Sequence, residues 1–167
     1  MSAITMQKNP MHTVGELPAV GENAPDFTLT KVDLTDVSLK DFHGKRIVLN
    51  IFPSLDTGVC AQGMRRFNEI ANKLENTVIL CVSHDLPFAQ KRFCGAENLD
   101  QVVPVSAFRQ PDFGQHYGLT LVDGAIKGLL ARAVVVIDTQ AKISYTQLAP
   151  EIAEEVDYER LVKFLQS

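Results

Sequence analysis

An apolar run followed directly by a turn and an amphipathic segment most constrains how this chain can fold. Residues 47–52 (IVLNIF) are almost all apolar and include β-branched side chains, which is typical of a buried strand. Across residues 64–74 apolar side chains recur at helical spacing and charged ones occupy the opposite face, which predicts a helix. Residues 53–60 (PSLDTGVC) are therefore predicted to connect a buried strand to a helix, with Cys60 in or near the first helical turn.

Cys60 occupies a position that favours a reactive sulfur. The first turn of a helix offers unpaired backbone N–H groups and the positive end of the helix dipole, and both favour a thiolate. Thr57 lies three residues earlier, so its hydroxyl can reach the sulfur or the molecule that the sulfur attacks, while Pro53 ends the strand and can screen the pocket from water. A simpler interpretation stays open, in which Cys60 is a small buried hydrophobic residue and Thr57 only an N-cap.

The rest of the chain alternates between strand and helix patterns. Strands are predicted over 27–30, 46–52, 77–83, 102–106, 132–138 and 142–148, and helices over about 60–75, 87–94, 110–117 and 157–166, the last with Asp157 as its N-cap. Residues 3–17 predict an N-terminal β-hairpin, with strands Ile4 to Gln7 and His12 to Leu17 and a turn at Lys8-Asn9-Pro10. This order predicts one α/β domain over residues 1–167, with a mixed central sheet covered by helices on both faces.

Charge and composition exclude several classes of function. The 167 residues carry a net charge of −4 without a basic block, which argues against nucleic acid as a partner, and no apolar run is long enough to span a membrane. The N-terminus lacks the layout of a signal peptide, so a cytoplasmic protein is expected. Three cysteines and four scattered histidines match no zinc-binding pattern, and no glycine-rich nucleotide loop is present. The chemistry is therefore expected to come from side chains, without a metal or a cofactor.

The spacing Pro53-x-x-x-Thr57-x-x-Cys60 resembles the active-site signature of the peroxiredoxins. The fuller segment 53–60 is similar to that of the thiol peroxidase (Tpx) subfamily, the atypical two-cysteine peroxiredoxins of bacteria. Three further segments are similar to the same subfamily: residues 9–10 (NP), 85–96 (DLPFAQKRFCGA) and 128–138 (GLLARAVVVID). The resemblance runs over nearly the whole chain and implies a thioredoxin-like fold with an added N-terminal hairpin.

Arg132 is the candidate for a permanent cation beside the sulfur. It directly precedes the apolar run 133–137, which predicts a central strand, and a charge at the mouth of a buried strand is costly unless it is paired. Taken alone, the pattern also fits an edge arginine that contacts water or a carboxylate. The resemblance favours the Cys60 thiolate as its partner, a role that suits the rigid fork of a guanidinium better than a lysine.

The resemblance implies that a thiolate of this chain reduces hydroperoxides. Cys60 would attack one peroxide oxygen and become a sulfenic acid, while Thr57 and Arg132 hold and activate the peroxide and Pro53 shields the pocket. Cys94 would resolve the sulfenic acid by forming an intramolecular Cys60–Cys94 disulfide. Since the Cα atoms of a disulfide lie within ~7 Å of each other, local unfolding of both helices is expected on oxidation if the two cysteines lie on separate helices.

The other two cysteines differ in their predicted surroundings. Cys94 follows residues 88–93, predicted to be a short amphipathic helix, and precedes Gly95, which predicts the end of that helix. Such a position is mobile enough to unwind, although the residues alone also fit an ordinary buried helical cysteine. Cys81 lies inside the predicted strand 77–83, where an inert core thiol is expected, so no role is assigned to it.

The resemblance also implies a substrate class and partners. The expected substrates are hydrogen peroxide and organic hydroperoxides, alkyl or lipid, in antioxidant defence, and the expected reductant is thioredoxin. A homodimer is expected as well, with residues 108–110 and 122–124 as its contact surfaces.

Two other classes of function remain open. A redox sensor or thioredoxin-like binding module would use the disulfide as a signal, would oxidise once and would not turn over. A cysteine hydrolase would need a histidine beside Cys60 and would not depend on Cys94. His84 is the one candidate for such a base, and no sequence feature favours that role over a loop histidine.

Overall fold

The computed structural model describes residues 1–167, and a seven-stranded mixed sheet forms its centre. In order across the sheet the strands are Asp36–Ser38 (β4), Thr28–Lys31 (β3), Val103–Ser106 (β7), Thr77–Ser83 (β6), Arg46–Ile51 (β5), Ala133–Ile137 (β8) and Ile143–Leu148 (β9). β5 pairs in parallel with β6 and antiparallel with β8, and β6 pairs in parallel with β7. The prediction of a mixed sheet is confirmed.

The side chains of β5 alternate between the two faces of the sheet, and each face has its own hydrophobic cluster. Ile47, Leu49 and Ile51 join one cluster, which the N-terminal hairpin and the helix Asp112–His116 (α3) cover. Val48 joins the other cluster, to which the helices Gly58–Ala71 (α1), Pro87–Glu97 (α2) and Tyr158–Leu165 (α4) contribute. Helices therefore lie on both faces, as predicted, and α1 follows the carboxyl end of β5 after one short turn.

The N-terminal hairpin is present, but its turn lies earlier than predicted. Its strands are Ala3–Met6 (β1) and Asn9–His12 (β2), so the predicted second strand, His12 to Leu17, is wrong. Gln7 and Lys8 have φ values of 50° and 69°, and two left-handed residues in succession make the two-residue turn whose twist matches a hairpin. Asn9 and Pro10 therefore belong to the second strand and do not form the turn.

The structure also corrects two predictions for α2. The helix runs through Gly95, so the predicted end at that glycine is wrong. It stops where Asn98 adopts the left-handed conformation, with φ 56°, and donates its N–H to the Cys94 carbonyl, a cap that asparagine tolerates. The expected amphipathic pattern is wrong as well, because Phe88 is 66% exposed while the polar Gln90 is buried.

The remaining differences concern short or frayed elements. The sequence pattern does not reveal β4 or the 3₁₀ helix Leu39–Phe42, because three or four residues are too few to establish a period. α1 ends at Ala71 and not near residue 75. Asp157 caps α4 as predicted, since its carboxylate accepts a hydrogen bond from the Arg160 N–H at 3.0 Å.

Candidate active site

Cys60 lies in the first turn of α1, as the sequence predicts. The N-cap of α1 is Thr57, whose hydroxyl oxygen accepts a hydrogen bond from the Cys60 N–H at 3.4 Å. The Thr57 hydroxyl itself donates to the Ser54 carbonyl at 3.1 Å. Cys60 is only 1% exposed, so the positive end of the α1 dipole acts on a sulfur that water barely reaches.

β8 brings Arg132 to this sulfur. β8 lies between β5 and β9 with every residue buried, as expected for an interior strand, and its first residue, Ala133, pairs with Ile51 at the end of β5. Arg132 precedes Ala133 and therefore falls beside the turn that leaves β5. Its Nη2–H donates to Cys60 Sγ at 3.2 Å, and its Nε–H and Nη2–H donate to the Ile152 carbonyl at 3.0 and 2.9 Å.

Arg132 is a buried charge without a carboxylate partner. Its residue is 6% exposed, and none of the ion pairs in the structure includes it. The alternative of an edge arginine that contacts water or a carboxylate is therefore wrong. Its hydrogen-bond partners are instead Cys60 Sγ and the Ile152 carbonyl.

A cavity of about 180 Å³ opens beside Thr57 and Arg132, which form hydrogen bonds with the Cys60 N–H and the Cys60 sulfur. Its wall is mainly apolar and includes Met6, Pro53, Val59, Ile126, Leu129, Ile152 and Ala153. Gln7, Ser54, Thr57 and Arg132 supply the polar groups. Pro53 is a buried residue of this wall. The cavity therefore presents an apolar space with a few polar groups in its lining, among them Arg132, which contacts the sulfur.

Cys94 lies on a different helix, near the end of α2, as a free and half-buried thiol. Its side chain packs against the hydrophobic cluster that also contains Cys60. Burial raises the pKa of Cys94 to about 11, so the thiol stays protonated near neutral pH in this conformation. Cys60 is free as well, and the structure is that of the reduced chain.

The chain matches the Redoxin family model over residues 19–162. A thiol peroxidase from Mycobacterium tuberculosis is 56% identical over 159 residues, which is 95% of this chain and 95% of that protein. A thiol peroxidase from Corynebacterium glutamicum is 54% identical over 159 residues, which is 95% of this chain and 96% of that protein. The chain belongs to the thiol peroxidases of the redoxin family.

Solved structures agree with this family. A peroxiredoxin-like protein from Aquifex aeolicus has 39% identity and a TM-score of 0.94 over 99% of this chain and 96% of that chain. A thiol peroxidase from Chromobacterium violaceum shares 18% identity and a TM-score of 0.91 over 99% of this chain and 96% of that chain, which shows the fold alone. The thioredoxin-like fold is confirmed, and the protein is a peroxiredoxin oxidoreductase that reduces peroxides.

In this thiol peroxidase the remaining candidates, Cys81 and His84, form no hydrogen bond with Cys60 and do not line the cavity. Burial raises the pKa of Cys81 to about 12, and its sulfur accepts a hydrogen bond from Asn50 Nδ2 at 3.5 Å inside the sheet. His84 does not line the cavity beside Cys60, and burial lowers its pKa. The structure therefore does not bring together the cysteine and histidine that a hydrolase needs.

Other features of the thiol peroxidase add no second reactive site. No group of three or more His, Cys, Asp or Glu side chains is arranged to hold a metal ion. None of its helices has the length and apolar character needed to cross a membrane. Three other cavities are larger, at about 310, 330 and 300 Å³, and no cysteine lines any of them.

Sequence reasoning missed two parts of the site. The Ile152 carbonyl holds the Arg132 guanidinium, a backbone role that no side-chain pattern reveals. The hairpin supplies Met6 and Gln7 to the cavity, because the Thr5 carbonyl accepts a hydrogen bond from the Ile152 N–H at 2.8 Å and so fixes the hairpin to this segment. The one sequence feature that indicates a contact between the hairpin and the cavity is the apolar Met6 beside a polar turn.

Proposed function

We propose that this thiol peroxidase reduces hydrogen peroxide and organic hydroperoxides with Cys60 as the nucleophile, Cys94 as the resolving thiol and thioredoxin as the reductant. The observation that carries the proposal is the 3.2 Å hydrogen bond from Arg132 Nη2 to Cys60 Sγ in a buried site without a carboxylate. A guanidinium in that position favours the thiolate and is already in place to meet the charge that develops during the reaction.

In the first step the Cys60 thiolate attacks the nearer peroxide oxygen. The S–O bond forms as the O–O bond breaks, and the other oxygen leaves with the electron pair and takes up a proton, giving water or an alcohol. Thr57 and Arg132 hold the peroxide in line and stabilise the leaving oxygen, a role supported by the contact of Arg132 with the sulfur and by Thr57 in the cavity lining. Pro53, buried in the cavity wall, limits the access of water.

In the second step Cys94 attacks the sulfenic sulfur of Cys60, an S–S bond forms, and the oxygen leaves as water. The two cysteines lie on separate helices, and we expect the first turn of α1 and the C-terminal part of α2 to unwind locally when the disulfide forms. Unwinding also returns the pKa of Cys94 from about 11 toward its ordinary value, which raises its thiolate fraction about a hundredfold at neutral pH. The same conformational change therefore moves Cys94 and activates it.

The cavity supports organic hydroperoxides as substrates. Its volume of about 180 Å³ is more than two peroxide oxygens need, and its apolar wall can bury an alkyl group. Arg132, which donates to Cys60 Sγ, lines the same cavity, and its guanidinium suits the polar hydroperoxide end of such a molecule. Alkyl and lipid hydroperoxides fit this arrangement, and hydrogen peroxide can use the polar end alone.

We also propose a reductant, a cellular location and an oligomeric state for the thiol peroxidase. A thioredoxin thiolate attacks the Cys60–Cys94 disulfide, both cysteines return to thiols, and thioredoxin leaves oxidised. A cytoplasmic location suits this cycle because thiols are kept reduced there. The chain acts as one domain over residues 1–167 and as a homodimer, and the exposed Phe108, on whose ring Arg109 stacks, supports a contact surface at 108–110. The segment 122–124 is the second part of the proposed surface.

The test is peroxide-dependent oxidation of NADPH in the presence of thioredoxin and thioredoxin reductase. Wild type should turn over, Cys60→Ser should lose the reaction with peroxide, and Cys94→Ser should react once and then stop. Cys81→Ala removes the third cysteine and is the matched control, which should keep its turnover. Wild type that forms the disulfide once and then stalls would indicate a sensor, and full turnover by Cys94→Ser would overturn the proposed resolving role.

A further inference from the structure

Asp85 follows β6 and lies opposite the turn that precedes α1. Its carboxylate accepts three hydrogen bonds, one of them at Oδ1 from Ser54 Oγ at 2.9 Å. At Oδ2 it accepts from the Leu55 N–H at 2.8 Å and from Ser83 Oγ at 2.7 Å. Two of the three donors belong to the turn that connects β5 to Cys60, so the carboxylate ties that turn to the neighbouring strand.

The hydrogen bonds continue from Ser54 to the reactive sulfur. The Ser54 carbonyl accepts from the Thr57 N–H at 3.3 Å and from the Thr57 hydroxyl at 3.1 Å. The Thr57 hydroxyl oxygen then accepts the Cys60 N–H at 3.4 Å. Asp85 therefore fixes Ser54, Ser54 fixes Thr57, and Thr57 fixes the helical turn that carries the sulfur.

Asp85 is itself held by the rigid part of the fold. Its backbone N–H donates to Ser83 Oγ at 3.3 Å, and its carbonyl accepts a hydrogen bond from Ser106 Oγ. Ser83 ends β6 and Ser106 ends β7, and both side chains are fully buried. No arginine, lysine or histidine pairs with the Asp85 carboxylate. All of its hydrogen bonds therefore come from two hydroxyls and one backbone N–H group.

We propose that Asp85 is a positioning residue for peroxide attack, which holds the turn before α1 so that Thr57 and Cys60 meet the peroxide in a fixed geometry. This inference rests on the proposed role of Cys60 as the nucleophile. Displacement of a reacting atom slows such a step strongly, because a shift of about 1 Å lowers the rate by about a hundredfold. Hydrogen bonds to a carboxylate are stronger than those between neutral groups, so Asp85 is suited to prevent that shift.

A positioning role affects the two chemical steps differently. Attack requires the turn to stay ordered, whereas disulfide formation requires the first turn of α1 to come apart. Loss of the Asp85 carboxylate should therefore slow the first step and leave the second step as fast as before or faster. A loss of overall structure would not separate the steps in this way.

The experiment mixes each reduced full-length protein rapidly with hydrogen peroxide, quenches with acid and a thiol-alkylating reagent, and follows both steps by mass spectrometry. The proteins are wild type, Asp85→Asn, Ser54→Ala and the double variant. Asp100→Asn is the matched control, because it removes the same charge from an exposed aspartate. Thermal unfolding by circular dichroism checks that each variant is folded at the assay temperature.

We expect the oxidation rate constant of Asp85→Asn to be about 10- to 100-fold below that of wild type. Disulfide formation should not be slowed, and Asp100→Asn should match wild type. The oxidation rate constant should fall less in Ser54→Ala than in Asp85→Asn. In the double variant it should fall no further than in Asp85→Asn, since both substitutions break the same chain of hydrogen bonds. If Asp85→Asn does not fold, Ser54→Ala becomes the test. Slower peroxide attack with disulfide formation at the wild-type rate in Ser54→Ala supports the inference, and peroxide attack at the wild-type rate overturns it.

Oxidation of Asp85→Asn within twofold of wild type would overturn the inference, as would equal slowing of both steps. Either result leaves the role of Cys60 untouched, because Cys60→Ser tests that role independently. Rapid peroxide reduction by Cys60→Ser would instead overturn the proposed function on which the inference rests.

Discussion

The helix that carries Cys60 and the helix that carries Cys94 are anchored in the fold very differently. α1 presents a long buried face to the sheet, formed by Cys60, Ala61, Gly63, Met64, Phe67 and Ile70. α2 buries only Pro87 and Gln90 among its eleven residues, and Cys94 itself is half-buried. The sulfur proposed to attack therefore belongs to a well-packed helix, and the sulfur proposed to move belongs to a loosely packed one.

Polar contacts increase this contrast. Gln90 Nε2 donates to Ser83 Oγ and to the Val105 carbonyl, but Gln90 Oε1 is buried without a partner, at a cost of about 1–3 kcal/mol. At the other end of α2, Glu97 pairs with Arg65 of α1 through two hydrogen bonds, of 2.9 and 3.1 Å. Both of those side chains are partly exposed, so the pair adds little stability.

The two steps of the proposed cycle need opposite mechanical properties. Peroxide attack benefits from a fixed sulfur, and disulfide formation needs a helix that opens at low cost. The chain meets both needs by giving each cysteine its own helix. Substitutions in one helix should then affect mainly one step.

The largest effect is expected from removing the cation beside Cys60. Arg132→Met should lower the rate of Cys60 oxidation by peroxide about 10²- to 10³-fold, because the substitution removes a fixed donor from both the sulfur and the leaving oxygen. Arg92→Met is the control, since Arg92 is exposed. Rapid-quench kinetics with hydrogen peroxide measure the rate, and an Arg132→Met variant within tenfold of wild type would contradict the role.

A smaller effect is expected from changing the helical stability of α2. A Cβ at Gly95 would meet no atom within 4 Å, so Gly95→Ala should stabilise the helix by about 0.5–1 kcal/mol. Disulfide formation should slow about two- to fivefold, and more Cys60 should be over-oxidised to sulfinic acid. Mass spectrometry after graded peroxide exposure measures the ratio of disulfide to sulfinic acid.

The exposed neighbour Ala96 offers the matched opposite change. Ala96→Gly should destabilise α2 by a similar amount, speed disulfide formation and lower the yield of sulfinic acid. Both variants should oxidise Cys60 at the wild-type rate. If the two substitutions shift the ratio in the same direction, unwinding of α2 does not control the second step.

The smallest expected effect is on stability at alkaline pH. The pKa of Cys94 is raised from 9.0 to about 11 by burial in the folded chain. Below pH 9 both folded and unfolded chains hold this proton, but between pH 9 and 11 only the unfolded chain releases it, so stability falls as the pH rises. Free energies of unfolding in urea should therefore fall more steeply for wild type than for Cys94→Ser over that range. Parallel slopes would show that Cys94 is not buried as described.

Local patterns placed Cys60, Thr57 and Arg132 in the fold, whereas the resemblance to the peroxiredoxins implied the role of Arg132. The strand, turn and helix around Cys60 follow one another along the chain, so their periods place the sulfur in the first helical turn. Arg132 precedes an apolar run long enough to be identified as an interior strand. The geometry then follows from the pairing of β8 with β5.

Contacts between distant segments explain what the sequence could not predict. The Asp85 carboxylate bonds to Leu55, 30 positions away, and the Ile152 carbonyl bonds to Arg132, 20 positions away. Neither partner follows from a residue pattern, because both depend on how loops meet in the folded chain. The end of α2 was mispredicted at Gly95 for a related reason, since the left-handed cap falls on Asn98.

Hydrogen exchange of the reduced protein, followed by mass spectrometry, tests most directly whether the two helices differ as described. Amides of α2 (Pro87–Glu97) should exchange at least about tenfold faster than those of α1 from Cys60 to Ala71, because α2 opens at a lower free-energy cost. Equal or slower exchange in α2 would contradict the division between a held sulfur and a mobile one.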